Sequence, residues 1–196
     1  VEEYVAFTDV NYDFPSNAST GIKALIETVF PAAEASTIFG PEDGWTDNDC
    51  AIETSSALPF EIEGIVTLHP RWYFKTNACK DFWTDEKFYG SFFIQDGSGG
   101  IFVLGDSKVA HFDMGARVKM KVRGARTIYD TQDNPRFNMV YAHDITEIVT
   151  YGPEPIFYEE ATGPFTDADI GVVKSVTGEV ITDKGTFGLF KIRSAS

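Results

Sequence analysis

The run GSFFIQDGSGGIFVLGD at positions 90–106 constrains this chain more than any other. Two stretches dense in β-formers flank Asp96-Gly97-Ser98-Gly99-Gly100, and a Gly/Asp/Ser cluster between such runs reads as a β-hairpin. The glycines are expected to supply the positive φ that a tight reversal uses. A lone hairpin is marginal in water, so neighbouring segments must contribute further strands. Upstream, PFEIEGIVTLHPR alternates through Phe60, Ile62 and Ile65, with Gly64 breaking the pattern as at a bulge or bend. Downstream, DMGARVKMKVRGAR sets Val118, Met120 and Val122 on one face and Arg117, Lys119, Lys121 and Arg123 on the other. A fifth strand is read in RFNMVYAHDITEIV, after the turn-rich YDTQDNP.

Five strands in this order, with a long first connection, predict a mostly β protein containing an OB-like five-stranded barrel over residues 58–150. Residues 1–57 read as an irregular acidic segment with one short helix. Ser19 stands as its N-cap, Ile22, Leu25, Ile26 and Val29 form its apolar stripe, and Pro31 ends it. Asn17-Ala18-Ser19 matches a glycosylation sequon, with nothing else in support. Residues 151–196 read as a linker and a C-terminal β-hairpin. There Val176-Thr177-Gly178-Glu179-Val180-Ile181-Thr182 echoes Ile62-Glu63-Gly64-Ile65-Val66-Thr67, and TFGLFKIRSAS echoes YGSFFIQDGSG. Two strands cannot close a barrel, so the chain reads either as the N-terminal part of a longer protein or as a barrel with this hairpin packed on it. Val1 reads as a processed or cloned end.

The 196 residues carry a net charge of −14, unevenly spread. Residues 1–57 hold eleven acids against Lys23 alone, whereas residues 58–150 hold eleven bases and twelve acids. The acidic total argues against non-specific nucleic-acid binding, while the middle segment can present its own local field because screening acts over about 8 Å. No apolar run reaches the length of a membrane span, so no membrane insertion is expected. The two cysteines, Cys50 and Cys79, sit in polar surroundings and outside any CxxC pattern. A disulfide between them is expected, closing a loop of about 30 residues for roughly 3–4 kcal/mol and implying an exported, oxidising location. Two independent thiols are the alternative.

The pattern E-G-x-V at Glu63, then FFIQDGSGGIFV, then M-G-x-R-V-x-x-x-V-x-G from Met114, resembles the OB-fold modules of secreted bacterial proteins. Such modules are found beside extracellular nucleases and phosphoesterases. The resemblance covers about Leu58 to Thr150 and implies an extracellular or periplasmic setting.

Catalytic constellations fail on spacing. Gly105-Asp106-Ser107 resembles the nucleophile block of GDS-type lipases, yet none of His69, His111 and His143 has the Asp three residues earlier that this family needs. Asp96–Gly100 lacks the Lys-Ser/Thr end of a phosphate loop. Asp43, Asp47 and Asp49, and the pair Asp167 and Asp169, are weak calcium candidates without EF-hand spacing, and no other cofactor is called for. An OB barrel binds across its second and third strands, flanked by two connections. Here these connections supply Trp72, Tyr73, Lys75, Trp83, Lys87, Tyr129 and Arg136, a mixture suited to stacking bases and holding phosphates. The basic stripe Arg117, Lys119, Lys121, Arg123 would serve a phosphate ligand or, by a small margin the better reading, dock on the acidic first third. The expectation is a non-catalytic binding or accessory module of an exported bacterial protein, holding single-stranded nucleic acid or an adjacent enzyme domain of the same chain. The alternative is an extracellular structural or adhesive module that binds protein or glycan, with calcium.

Overall fold

The computed structural model describes residues 4–6, 21–30, 37–39, 52–71, 90–105, 108, 111–128, 137–142, 144–150, 154–182 and 191–194. These are mostly β, with one short helix, α1 (Ile22–Val29). The principal sheet is built around the longest strand among the described residues, β4 (Phe60–Arg71), which changes neighbours along its length. Its first half, Phe60–Ile65, pairs antiparallel with β7 (Arg117–Val122), and its second half, from Ile65 onward, with β5 (Gly90–Gln95). The change falls at Ile65, next to Gly64, where a Cβ would stand 2.6 Å from the Gln95 carbonyl oxygen and 2.9 Å from Ile94 Cγ1. Only glycine lets β5 approach so closely, as the break in the sequence pattern indicates.

β5 pairs with β6 (Gly100–Gly105) in unbroken antiparallel register, giving the hairpin read from the sequence. The strand order continues through β9 (Phe137–Ala142), parallel to β6, then β8 (Gly124–Ile128), β2 (Thr37–Phe39) and β3 (Ile52–Thr54). On the other side β10 (Asp144–Thr150) lies beside β7. The outermost strands, β10 and β3, are not paired with each other, so the sheet is not a barrel closed edge to edge. The fourth expected strand is divided at Arg123 into β7 and β8, which serve different neighbours. The fifth is divided likewise: β9 pairs with β6 and β8, whereas β10 pairs with β7. Hydrophobic alternation gives a residue's face and says nothing of which neighbour its backbone finds, so both divisions were invisible in the pattern.

One face of this sheet forms the core. Ile62, Val66, Phe92, Ile94, Val103, Val118, Met120, Val122, Ala125 and Val140 are buried together, and α1 adds Ile22, Leu25 and Val29. Phe92 meets Phe112 edge to face at 5.2 Å. Each of these Val, Leu, Ile, Met and Phe side chains contributes about 1.5–3 kcal/mol by leaving water. The first third is thus joined to the rest by α1, by β2 against β8, and by β1 (Tyr4–Ala6), which pairs parallel with β11 (Ile156–Glu160). β11 also pairs with the short β12 (Lys174–Ser175). A separate two-stranded sheet, β13 (Gly178–Thr182) with β14 (Lys191–Ser194), is the C-terminal hairpin expected from the sequence.

The hairpin turn works differently from the expectation. Among the described residues positive φ occurs at Gly115 and Gly171, not in Asp96–Gly100. The Asp96 carboxylate holds the turn instead: its Oδ1 accepts from the Ser98 amide at 2.7 Å, the Ser98 hydroxyl at 2.6 Å and the Gly99 amide at 3.0 Å. The same carboxylate caps α1. Its Oδ2 accepts from the Ile22 amide at 2.9 Å, and Ser98 Oγ accepts from the Lys23 amide at 3.1 Å. The residue at the helix N-cap is Gly21, not Ser19, and it makes no side-chain cap of its own. A Cβ on Gly21 would meet Ser98 Oγ at 2.6 Å, so the glycine admits a cap that comes from another element. At the other end Phe30 is extended (ψ 126°), as a residue before Pro31 must be.

Candidate functional site

The basic stripe lies where the alternation puts it: Val118, Met120 and Val122 face the core, and Arg117, Lys119 and Lys121 are half-buried on the opposite face. β7 runs between two strands that bring acids to the same positions. Lys121 stands across from Glu61 on β4 and Asp144 on β10, and Lys119 across from Glu63 and Glu147. Arg117 Nε donates to Glu63 Oε1 at 2.5 Å, and Lys119 Nζ lies 3.8 Å from Glu61 Oε1. Opposite charges on neighbouring strands stabilise the sheet. These cross-strand partners come from within residues 58–150; most of the acidic first third, on which the stripe is expected to dock, lies outside the described residues. Arg123, between β7 and β8, is half-buried.

The face across which an OB barrel would bind is the outer side of β5 and β6. Phe92, Ile94, Ile101 and Val103 point into the core, leaving Ser91, Phe93, Gln95, Phe102 and Leu104 on the outer side. That side is covered: Leu104 and Gln95 are each 1% exposed, Ser91 5% and Phe102 9%. Phe93 stacks edge to face on Phe102 at 5.2 Å. Part of the cover is the segment between β11 and β13. Gln95 Oε1 accepts from the Val173 amide at 2.8 Å. Gly100 and Gly171 meet backbone to backbone, so closely that a Cβ on Gly100 would lie 2.0 Å from the Gly171 carbonyl oxygen. Ile156 and Phe157 of β11 bury Ile65 from the same side.

Where this segment passes α1 and the hairpin turn, they enclose a cleft of about 500 Å³. Ile26, Phe30 and Val172 give it an apolar floor, and Lys23, Asp169 and Lys174 stand around it. Lys174 Nζ is bound twice, to Glu159 Oε2 at 2.5 Å and to Asp169 Oδ1 at 2.7 Å. The Lys174 ammonium and the Thr166 amide and hydroxyl on Asp169 hold that carboxyl down at about 2, and the two carboxylates raise the Lys174 ammonium in turn. Asp169 therefore stays ionised through neutral and mildly acidic solution. The Asp169 amide donates to the Thr166 carbonyl at 3.0 Å to close the 3-10 turn Asp167–Asp169, and the Asp169 carboxylate, a weak calcium candidate in the sequence, ties that turn to Lys174. Among the described residues no group of three His, Cys, Asp or Glu side chains is placed to hold a metal ion.

Trp72, Tyr73, Lys75, Trp83, Lys87, Tyr129, Arg136, the cysteines Cys50 and Cys79, and Asp43, Asp47 and Asp49 lie outside the described residues. What the sequence reading missed is Asp96 as a long-range helix cap and Gln95 as an anchor for the C-terminal segment. An Asp heading a Gly/Ser turn was a signal for the first; nothing local announced the second. No family model matches the chain, and no curated protein or solved structure matches it either.

Proposed function

We propose that this chain is a non-catalytic accessory module of OB-like build from an exported protein, and that it holds protein rather than single-stranded nucleic acid. The strand pairings support the OB-like part. β4, β5 and β6 follow one another in the sheet, β9 joins β6 in parallel, and β7 and β8, on either side of Arg123, pair with β4 and β9 respectively. A sheet whose consecutive strands β7 and β8 stand at second and seventh place in its order is strongly curled between them. The observation that carries the choice of ligand is the covered outer side of β5 and β6, where an oligonucleotide would need open aromatic platforms. The acids opposite the basic stripe point the same way, since phosphate binding draws on uncompensated Lys and Arg. The apolar floor and charged margin of the cleft beside α1 suit a protein side chain.

The test is a titration of the intrinsic tryptophans with a 20-nucleotide oligothymidylate at low and at physiological salt. No saturable change in either buffer is the expected result. Quenching that saturates and weakens steeply with salt, and is lost in Trp72→Phe or Trp83→Phe, would assign the first connection to a nucleic-acid surface and overturn the choice of protein. Quenching that survives both substitutions would place that surface at Trp45 and overturn it equally.

A further inference from the structure

The C-terminal hairpin repeats the start of the principal sheet residue by residue. In β4 and β5, Gly64 is followed by Ile65, paired with Gln95, and Val66, paired with Ile94, after which the register slips so that Leu68 faces Phe93. In β13 and β14, Gly178 is followed by Glu179, paired with Arg193, and Val180, paired with Ile192, and the register slips so that Thr182 faces Lys191. The two glycines also meet the same surroundings. A Cβ on Gly64 would touch the Gln95 carbonyl oxygen and Ile94 Cγ1; one on Gly178 would touch the Arg193 carbonyl oxygen at 2.3 Å and Ile192 Cγ2 at 2.7 Å. A glycine, a bulge two residues later and the same close approach to the partner strand make one local design, present twice.

The copies differ in what covers them. Val66 and Ile94 are 0% exposed in the core, whereas Val180 is 61% and Ile192 43% exposed. The neighbouring cross-strand pair, Glu179 with Arg193, carries an exposed ion pair at 3.5 Å. The second hairpin thus has a charged pair beside an uncovered apolar pair, the pattern of a sheet with one side in water and the other in a core. Both outer edges of this two-stranded sheet are without a strand among the described residues, and an isolated hairpin is marginal in water.

We infer that β13 and β14 open a second unit built like the first, and that their Val180–Ile192 side is the docking surface for the strands that complete it. The correspondence specifies those strands. One, equivalent to β6, lies antiparallel beside β14, and one, equivalent to β7, lies antiparallel beside β13, with alternate apolar residues turned toward Val180 and Ile192. Since β6 and β7 follow β5 in the chain, the completing strands belong to the same polypeptide, downstream of β14. The inference rests on register and burial and is independent of what the first unit binds.

The experiment uses the polypeptide as its source makes it, with its mass established, beside a version ending at Ser196. In the natural polypeptide the amides of residues 178–182 and 191–194 are expected to resist hydrogen exchange to the same order as those of β4 and β5, and in the shorter chain to exchange freely. Val180→Lys in the natural polypeptide should abolish that protection and leave the amides of β4 and β5 as slow as before. A natural polypeptide that stops at Ser196, protection that appears only as protein concentration rises, or protection untouched by Val180→Lys would each overturn the inference.

Discussion

Asp96→Ala is expected to lower the unfolding free energy by about 3 kcal/mol, with a fall in Tm of roughly 6–12 °C for a chain of this size. Loss of a helix cap alone costs about 1 kcal/mol. Asp96 does more, because one carboxylate accepts from the Ile22, Ser98 and Gly99 amides and from the Ser98 hydroxyl while itself only 7% exposed. Hydrogen bonds to a charged group contribute about 1.5–3 kcal/mol each, and the figure stays below their sum because the turn can open and let water reach the orphaned amides. Asp96→Asn keeps a carbonyl oxygen and should lose about half as much. Urea unfolding read by far-ultraviolet circular dichroism checks both, and an alanine variant within about 0.5 kcal/mol of the parent would show that α1 is held by packing alone.

Gly64→Ala is expected to cost about 2 kcal/mol. Two effects oppose each other. Alanine restricts the unfolded chain and so stabilises by about 0.4–1 kcal/mol, whereas the new methyl overpacks by about 1–3 kcal/mol. Overpacking wins, since the nearest atom is a backbone oxygen 2.6 Å away and belongs to a strand fixed on its other side by β6. Gly99→Ala is the contrast. Its nearest neighbours would be Ile22 Cγ2 and the Lys23 amide nitrogen, both at 3.9 Å, so it should change stability by less than about 0.5 kcal/mol. The midpoints of urea unfolding at constant slope separate the two variants. Equal effects would mean that the fold needs glycine for turn flexibility and not for the approach of β5 to β4.

Local chemistry was legible where one strand and its face decide the outcome. The β5–β6 hairpin, the two faces of β7, the short helix before Pro31 and the C-terminal hairpin all follow from alternation, glycine and proline. Long-range choices were not. Whether residues 113–126 make one strand or two depends on the neighbours β4 and β9, which lie far away in the chain. The cap on α1 came from Asp96, 74 residues beyond the amide it accepts from, although a serine stood closer in sequence. The glycines of the 96–100 turn were read for positive φ. Asp96 takes over that duty, and Gly100 serves the close contact with Gly171. The candidate surface was half legible: the basic stripe was visible, but the acids across from it arrive only when β4 and β10 pair on either side.

The central claim is the strand order of the principal sheet, and amide-to-amide nuclear Overhauser effects on a deuterated sample test it most directly. The account predicts, in one monomeric molecule, cross-strand contacts for the Ile62–Met120, Val103–Val140 and Ala125–Val140 pairs. If β6 showed no contacts to β9, or β7 and β8 proved to share a single neighbouring strand, the OB-like reading would be contradicted.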